Sequence, residues 1–231
     1  MYREAPAPAH LRWAVRCLWW NRTSGTKRIV PDGCADLMVA GERVFVAGPD
    51  TGPWDIDLPA GTVVHGIRLL PGRVPQALGV AADELADRRV DLTALWGRQG
   101  AAAGRLLVDR PAALAEVVAR RLTGQRDREL EVLIGRLAAG VPRVGDALAG
   151  LGTGERQLRR RFTRAVGYGP ATYLRVARLG RAIDTAPRMP DLASLAAEAG
   201  YADQAHLSRD CRDLTGTTPT TFFATLCSAV P

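Results

Sequence analysis

Residues 148–162 read LAGLGTGERQLRRRF, and residues 192–214 read LASLAAEAGYADQAHLSRDCRDL. In the first stretch Leu148, Leu151, Leu158 and Phe162 are spaced as two short helices about a turn from Gly150 to Gly154. Leu158 and Phe162, four apart, share an inner face and leave Arg156, Arg159, Arg160 and Arg164 on other faces. That is the layout of a recognition helix, whose guanidinium forks pair with guanine edges or grip phosphates. Gly154 is an acceptable N-cap, and Gln157 three residues on can reach back to it. The second stretch repeats the plan. Leu192, Leu195 and Ala196 precede a turn at Gly200-Tyr201-Ala202, after which Leu207, Cys211 and Leu214 form an inner stripe. Gln204, His206, Ser208 and Arg209 lie elsewhere, and Gln and Arg suit adenine and guanine edges. An Arg-rich amphipathic helix taken alone is usually a solvated face. Two such units, joined by a helix over residues 170–185 about 24 Å long at 1.5 Å per residue, point instead to a duplex partner.

Outward from these units, helical periodicity extends over residues 129–139, 144–151, 155–166, 170–185, 192–199, 203–214 and 220–226, punctuated by Gly140, Gly152, Gly167, Gly200 and Gly216. Upstream the pattern differs. Short β segments are expected at 15–20, 27–31, 37–40, 43–47, 54–58 and 62–70, separated by turns such as Pro31-Asp32-Gly33 and Gly41-Glu42. Helical pieces follow at 74–78, 82–86, 92–96 and 111–122. The polar break at 124–128 sets an expected boundary between a β-rich domain, 1–124, and a helical domain, 125–231. The fold class is α+β in two domains: a small β-barrel or sandwich with flanking helices, then an all-α domain with two helix-turn-helix units.

Composition narrows the function classes. The 231 residues carry 31 Lys+Arg against 24 Asp+Glu, and Lys27 is the one lysine. Residues 1–135 hold 18 basic and 16 acidic side chains and residues 136–231 hold 13 and 8, so the excess of +2 against +5 leans toward the C-terminus, where a polyanion is sought first. Apolar runs are too short to span a bilayer, and the opening MYREAPAPAHLRW lacks the order of a secretory signal. A cytoplasmic location without a membrane partner is expected. Cys17, Cys34, Cys211 and Cys227 show neither C-x-x-C pairing nor zinc spacing, so reduced thiols are expected and no metal.

The two units, within LGTGERQLRRRFTRAVGYGPATYLRVARLGRA from Leu151 and LASLAAEAGYADQAHLSRDCRDLTGTTPTTF from Leu192, resemble the AraC/XylS-type transcriptional regulators over about residues 129–224. The closing Gly216, Pro219 and Phe222 are among the most specific matches. The resemblance implies a seven-helix domain whose two recognition helices enter successive major grooves of double-stranded DNA. It assigns Arg156, Arg159 and Arg160 to the first helix, with Arg164 beside them, and Gln204, Ala205, His206, Ser208 and Arg209 to the second. RNA polymerase is a further implied partner if the protein activates. Two positions depart from the family pattern: Gly154 stands where a Ser cap is usual, and Cys211 where a Phe is usual.

The first seventy residues resemble a small β domain of unknown function that precedes this module in some regulators. The carrying residues are Tyr2-Arg3-Glu4, IVPDGCADL from Ile29, Gly48-Pro49, GIRL from Gly66, and Pro71-Gly72. By analogy with the N-terminal domains of the resembled regulator family, this domain is expected to bind a small effector or form a homodimer. Trp13, Trp19, Trp20 and Trp54 either wall an apolar pocket or fill the core of a small barrel. Cys34 follows a tight turn beside Asp36 and is either a sensor thiol, with Arg28 as its positive partner, or a buried structural residue. The candidate effector-binding residues are therefore Trp20, Cys34, Asp36 and Trp54.

An enzyme is not expected, and no catalytic residue or cofactor is assigned. The three histidines, His10, His65 and His206, are scattered, and no G-x-S-x-G, P-loop or dinucleotide fingerprint is present. A repair protein with a methyl-accepting Cys would need a metal-ligating Cys cluster that the chain lacks. What remains is a sequence-specific DNA-binding regulator modulated by a small effector. The alternative is an effector-independent or architectural DNA binder whose first domain only dimerises.

Overall fold

Period-two alternation builds the first region. The computed structural model describes residues 2–229, with side chains as far as residue 226. Strands β1 (Tyr2–Pro6), β2 (Val15–Arg22), β4 (Ala35–Ala40), β5 (Arg43–Ala47), β7 (Val63–Leu69) and β8 (Arg89–Asp91) form one antiparallel sheet in the order β1-β2-β7-β4-β5-β8. Strands β3 (Lys27–Ile29) and β6 (Trp54–Ile56) pair as a separate ribbon. Because both faces of the central strands are covered, β4 reads as the unbroken run ADLMVA. Leu37, Val39, Val44, Val46, Ile67 and Leu69 pack against helices α1 (Val74–Leu78), α2 (Leu92–Asp109) and α3 (Leu114–Arg121). Trp19, Met38, Phe45 and Val64 face the ribbon and its Trp54 and Ile56.

The strand-rich region is as expected in kind, and its differences have local causes. The sheet keeps two edges, β1 and β8, and the ribbon covers one face instead of closing a barrel. Those two edge strands were not among the expected segments. The helix expected at 92–96 runs on to Asp109 across a kink at Gly97 (φ +57). Its GAAAG stretch, in a segment given no element from sequence, brings Gly100 so close to the Leu92 carbonyl that a Cβ would sit 2.0 Å from it.

The second region is helical throughout: α4 (Arg128–Ala138), α5 (Val144–Leu148), α6 (Glu155–Val166), α7 (Pro170–Thr185), α8 (Leu192–Glu198), α9 (Gln204–Thr215) and α10 (Pro219–Ala229). Pro170 opens α7 at a position where its missing N–H costs nothing. α7 belongs to two cores. Its Tyr173, Leu174, Val176 and Leu179 pack with Leu133, Leu158 and Phe162, and its Ala182 with Leu195, Leu207 and Phe223. Cys211 is fully buried under α9, the place where a larger Phe is usual in the resembled family.

One joint between the regions lies at the start of α1 and in α4. Arg73, almost fully buried, pairs with Glu131 and lies over the Trp13 ring at 5.3 Å.

Candidate nucleic-acid interface

α5, a turn through Gly150 (φ +73) and α6 make one helix-turn-helix; α8, a turn through Gly200 (φ +84) and α9 make the other. The starts of the two second helices are secured differently. Asp203 caps α9, its carboxylate accepting from the His206 N–H at 2.6 Å. Gly154 gives α6 no side-chain cap, and the bond expected back from Gln157 is not formed. The turn before α6 is instead clamped from α4. Glu129 Oε1 accepts from the Thr153 N–H at 3.0 Å, the Thr153 hydroxyl donates to the same carboxylate, and Arg161 pairs with Glu129 at 3.1 Å. Arg161 also pairs with Asp127, which caps α4 by accepting from the Leu130 N–H at 3.1 Å. The Thr153 hydroxyl first, then Arg161, hold the Glu129 carboxyl below its ordinary range.

Residues 156–181 contain eight arginines and no carboxylate, and the fold divides these arginines into two sets. Arg159 pairs with Glu155 one turn away at 2.7 Å, and Arg161 serves the clamp. Arg175 joins α7 to α9 through Asp210 at 2.7 Å and Asp213 at 2.5 Å. Arg178 donates to the Pro142 carbonyl at 2.7 Å, and Arg181 to Ala138 and Ala199 carbonyls at 2.9 and 3.1 Å. Arg156, Arg160 and Arg164 remain, exposed and without a partner among the described residues. They stand on the face of α6 opposite buried Leu158 and Phe162. On α9, Gln204, Ala205 and Arg209 are exposed and Ser208 is half-buried. His206 is turned inward, its ring edge-on to Tyr201 at 5.1 Å and its Nε2 3.9 Å from Asp210.

The first region holds a cavity of about 380 Å³ between the sheet and the ribbon, walled by Tyr2, Trp19, Met38, Trp54, Ile56 and Val64. Asp36 and Arg68 form its polar floor: Arg68 Nε donates to Asp36 at 3.3 Å, and the Trp19 indole N–H donates to Asp36 at 2.6 Å. Burial pushes the Asp36 carboxyl up while Arg68 opposes the rise. Of the four expected effector residues, Asp36 and Trp54 line this space and Trp20 and Cys34 do not. Strand alternation sends Trp20 to the opposite face from Trp19. Cys34 is buried, and burial holds its thiol well above the ordinary value. Its neighbouring cation is Arg16, at 3.8 Å, and not Arg28, which is engaged by Asp55 at 2.8 and 2.9 Å. These surroundings are those of a structural thiol. Trp19, one of the four tryptophans expected either to wall a pocket or to fill a core, lines the cavity although Trp20 was the one taken as an effector residue, because alternation separates adjacent tryptophans without saying which one faces the ribbon; Arg68 was not among the expected residues.

Cys17, Cys34 and Cys211 are free and buried, and the Cys227 side chain lies outside the described residues. Among the described residues no three His, Cys, Asp or Glu side chains gather as a metal site, and no helix is long and apolar enough to cross a membrane.

Residues 148–225 match the family model of a helix-turn-helix domain, and residues 3–91 match that of a domain of unknown function, DUF6597. The C-terminal region is an AraC-type helix-turn-helix domain. The AraC-type region makes the chain a DNA-binding transcription regulator. No curated protein matches the chain in sequence. Among solved structures it is similar to ToxT from Vibrio cholerae, with 9% identity, a TM-score of 0.50, and coverage of 90% of this chain and 98% of that one. A ToxT structure described as bound to an unsaturated fatty acid is also 9% identical, with a TM-score of 0.46 over 93% and 96% of the two chains. At such identity the likeness is one of fold alone.

Proposed function

We propose that α6 and α9 read successive major grooves of one operator, Arg156, Arg160 and Arg164 from the first helix and Gln204, Ala205, Ser208 and Arg209 from the second. The observation carrying this reading is the division of the arginines. Five of the eight between 156 and 181 have partners inside the fold, whereas the three on the outer face of α6 have none among the described residues. Exposed guanidinium groups without counter-charges supply salt-dependent phosphate contacts and base-edge contacts. Arg159, tied to Glu155, takes a supporting part, and His206, packed edge-on against Tyr201 and accepting from the Ala202 N–H, orders the start of α9.

In the same reading residues 1–124 are a regulatory domain whose cavity takes a small, largely apolar effector, and residues 125–231 bind DNA. The aromatic walls over a charged floor favour an effector over a domain that serves dimerisation alone. Binding there shifts the population competent for DNA.

The test is selection of binding sites from random duplex DNA with the full-length protein. The expected result is an enriched sequence with two blocks about 10 base pairs apart, one helical turn. Binding with no preference over random competitor would replace this reading with an architectural one.

A further inference from the structure

The two proposed reading helices end alike. Gly167 closes α6 and Gly216 closes α9, both left-handed, at φ +104 and +74. Both ends abut one loop of the strand-rich region, residues 48–53 between β5 and β6. A Cβ on Gly167 would lie 2.4 Å from Pro49 Cγ, and a Cβ on Gly216 would lie 3.5 Å from Pro53 Cγ and 3.0 Å from an Arg28 Nη1. Gly52, between the two prolines, sits under the Asp213 carbonyl of α9, to which its Cβ would come within 3.8 Å.

The loop is held stiff from behind. Asp87 takes a left-handed backbone at φ +56, unusual outside glycine, and its carboxylate accepts from the Thr51 N–H and hydroxyl, both at 2.7 Å. Its own N–H donates to the Pro49 carbonyl at 3.1 Å, and the Gly48 N–H donates to Arg88 at 3.0 Å. Asp50 is buried and receives both ends of the Arg89 guanidinium, at 2.7 and 2.9 Å. A Cβ on Gly48 would fall 1.8 Å from the Leu85 carbonyl, so the loop enters in close backbone contact. Two prolines fix φ at the points of contact.

This rigidity matters because the helical region has two separate cores. The core under α6 and the core around Leu207 of α9 are joined by α7, by Leu214 of α9, which packs into the first core, and by Ile183 and Phe222, which touch both, so beyond the Arg175 ion pairs the angle between α6 and α9 rests on few side chains. We propose that the 48–53 loop braces the C-terminal ends of both helices and so fixes the spacing at which two DNA blocks are read, without touching DNA. The proposal rests on the reading of α6 and α9 as the DNA-contacting helices.

The experiment compares the full-length protein with a Pro49→Gly, Pro53→Gly variant, checked for intact fold by circular dichroism. Nitroxide labels at Gln157→Cys and Arg212→Cys, exposed positions outside the proposed contact set, report the distance between the helices without DNA. The expected result is one narrow distance distribution in the parent and a broadened one in the variant. In parallel, the selected operator is lengthened or shortened by one base pair between its blocks. The parent should lose about tenfold or more in affinity, the scale of one misplaced contact, while the variant discriminates the spacings only weakly. An unchanged distribution with unchanged spacing preference overturns the proposal and leaves the loop as ordinary domain packing. If no operator is selected at all, the DNA reading falls and the spacing role with it, while the label distances still decide whether the loop holds the two helices.

Discussion

Arg161 Nε donates to Asp127 Oδ2 at 2.9 Å, so a residue of α6 is fastened to the cap of α4, 34 positions earlier. With Glu129 and Thr153 this bond takes over the work that a capping side chain at Gly154 would do. Arg161→Ala should therefore loosen the start of α6 and weaken operator binding by about 1 kcal/mol, the net worth of partly exposed charge-assisted bonds. Adding Gly154→Ser should recover part of the loss by restoring a local cap. Gel-shift titration of the single and double variants measures both effects. A loss that Gly154→Ser does not touch would mean that Arg161 acts by other means than ordering the helix start.

Arg160 is the clearest single test of the exposed set. If it reads a base, Arg160→Ala costs ~1–3 kcal/mol and relaxes sequence preference at one operator position. If it grips a phosphate, affinity falls evenly across sequences and the slope of log K against log salt drops by ~1. Competition binding at several salt concentrations separates the two, and an unchanged affinity and footprint would remove Arg160 from the interface.

How far the sequence carries can be read from these same residues. The bounds of α6 and α7 are as the periodicity predicts, because Leu158 and Phe162 mark one face and Gly154, Gly167 and Pro170 mark the ends. Which arginines face outward is not legible locally. The partners of Arg161 and Arg175 are carboxylates 32 to 38 residues away, brought close only by helix packing. The rest of α2 was illegible because its GAAAG stretch carries no apolar period, although Leu107 beyond it is fully buried in the core and Gly100 packs closely against the Leu92 backbone. In the cavity, Asp36 and Trp54 were legible as candidates, but the choice of Trp19 over Trp20 was not, since the inward face follows from sheet order and the ribbon above it. The pairing of Cys34 with Arg28 failed for a similar reason: Arg28 lies on the ribbon, where Asp55 is its cross-strand neighbour.

Gly66 backs the Trp19 wall of the cavity. A Cβ there would lie 2.2 to 2.6 Å from Trp19 indole atoms, so the ring lies flat against bare backbone. Gly66→Ala should displace Trp19, break its bond to Asp36 and cost about 1–3 kcal/mol, as overpacking of a filled site does. Urea denaturation followed by tryptophan fluorescence measures the loss. Adding Trp19→Phe should relieve the clash without restoring the hydrogen bond, so recovery should be partial. Wild-type stability in Gly66→Ala would show that Trp19 does not occupy this position.

Acid should loosen the joint between the regions. The hydrogen bonds from Arg126, with those from Arg73 added, hold the Glu131 carboxyl down to about 2 from its ordinary 4.5. A folded-state value below the unfolded one means that the stabilisation is complete above pH 4.5 and is lost as the pH falls toward 2. Because Glu131 is partly solvated, the contribution is screened to about 1–2 kcal/mol. Glu131→Gln should lower stability at neutral pH by that amount and flatten the fall between pH 4.5 and 2. Urea midpoints measured across this range decide it. If parent and variant lose stability in parallel, the Arg73–Glu131 joint is not what acid releases.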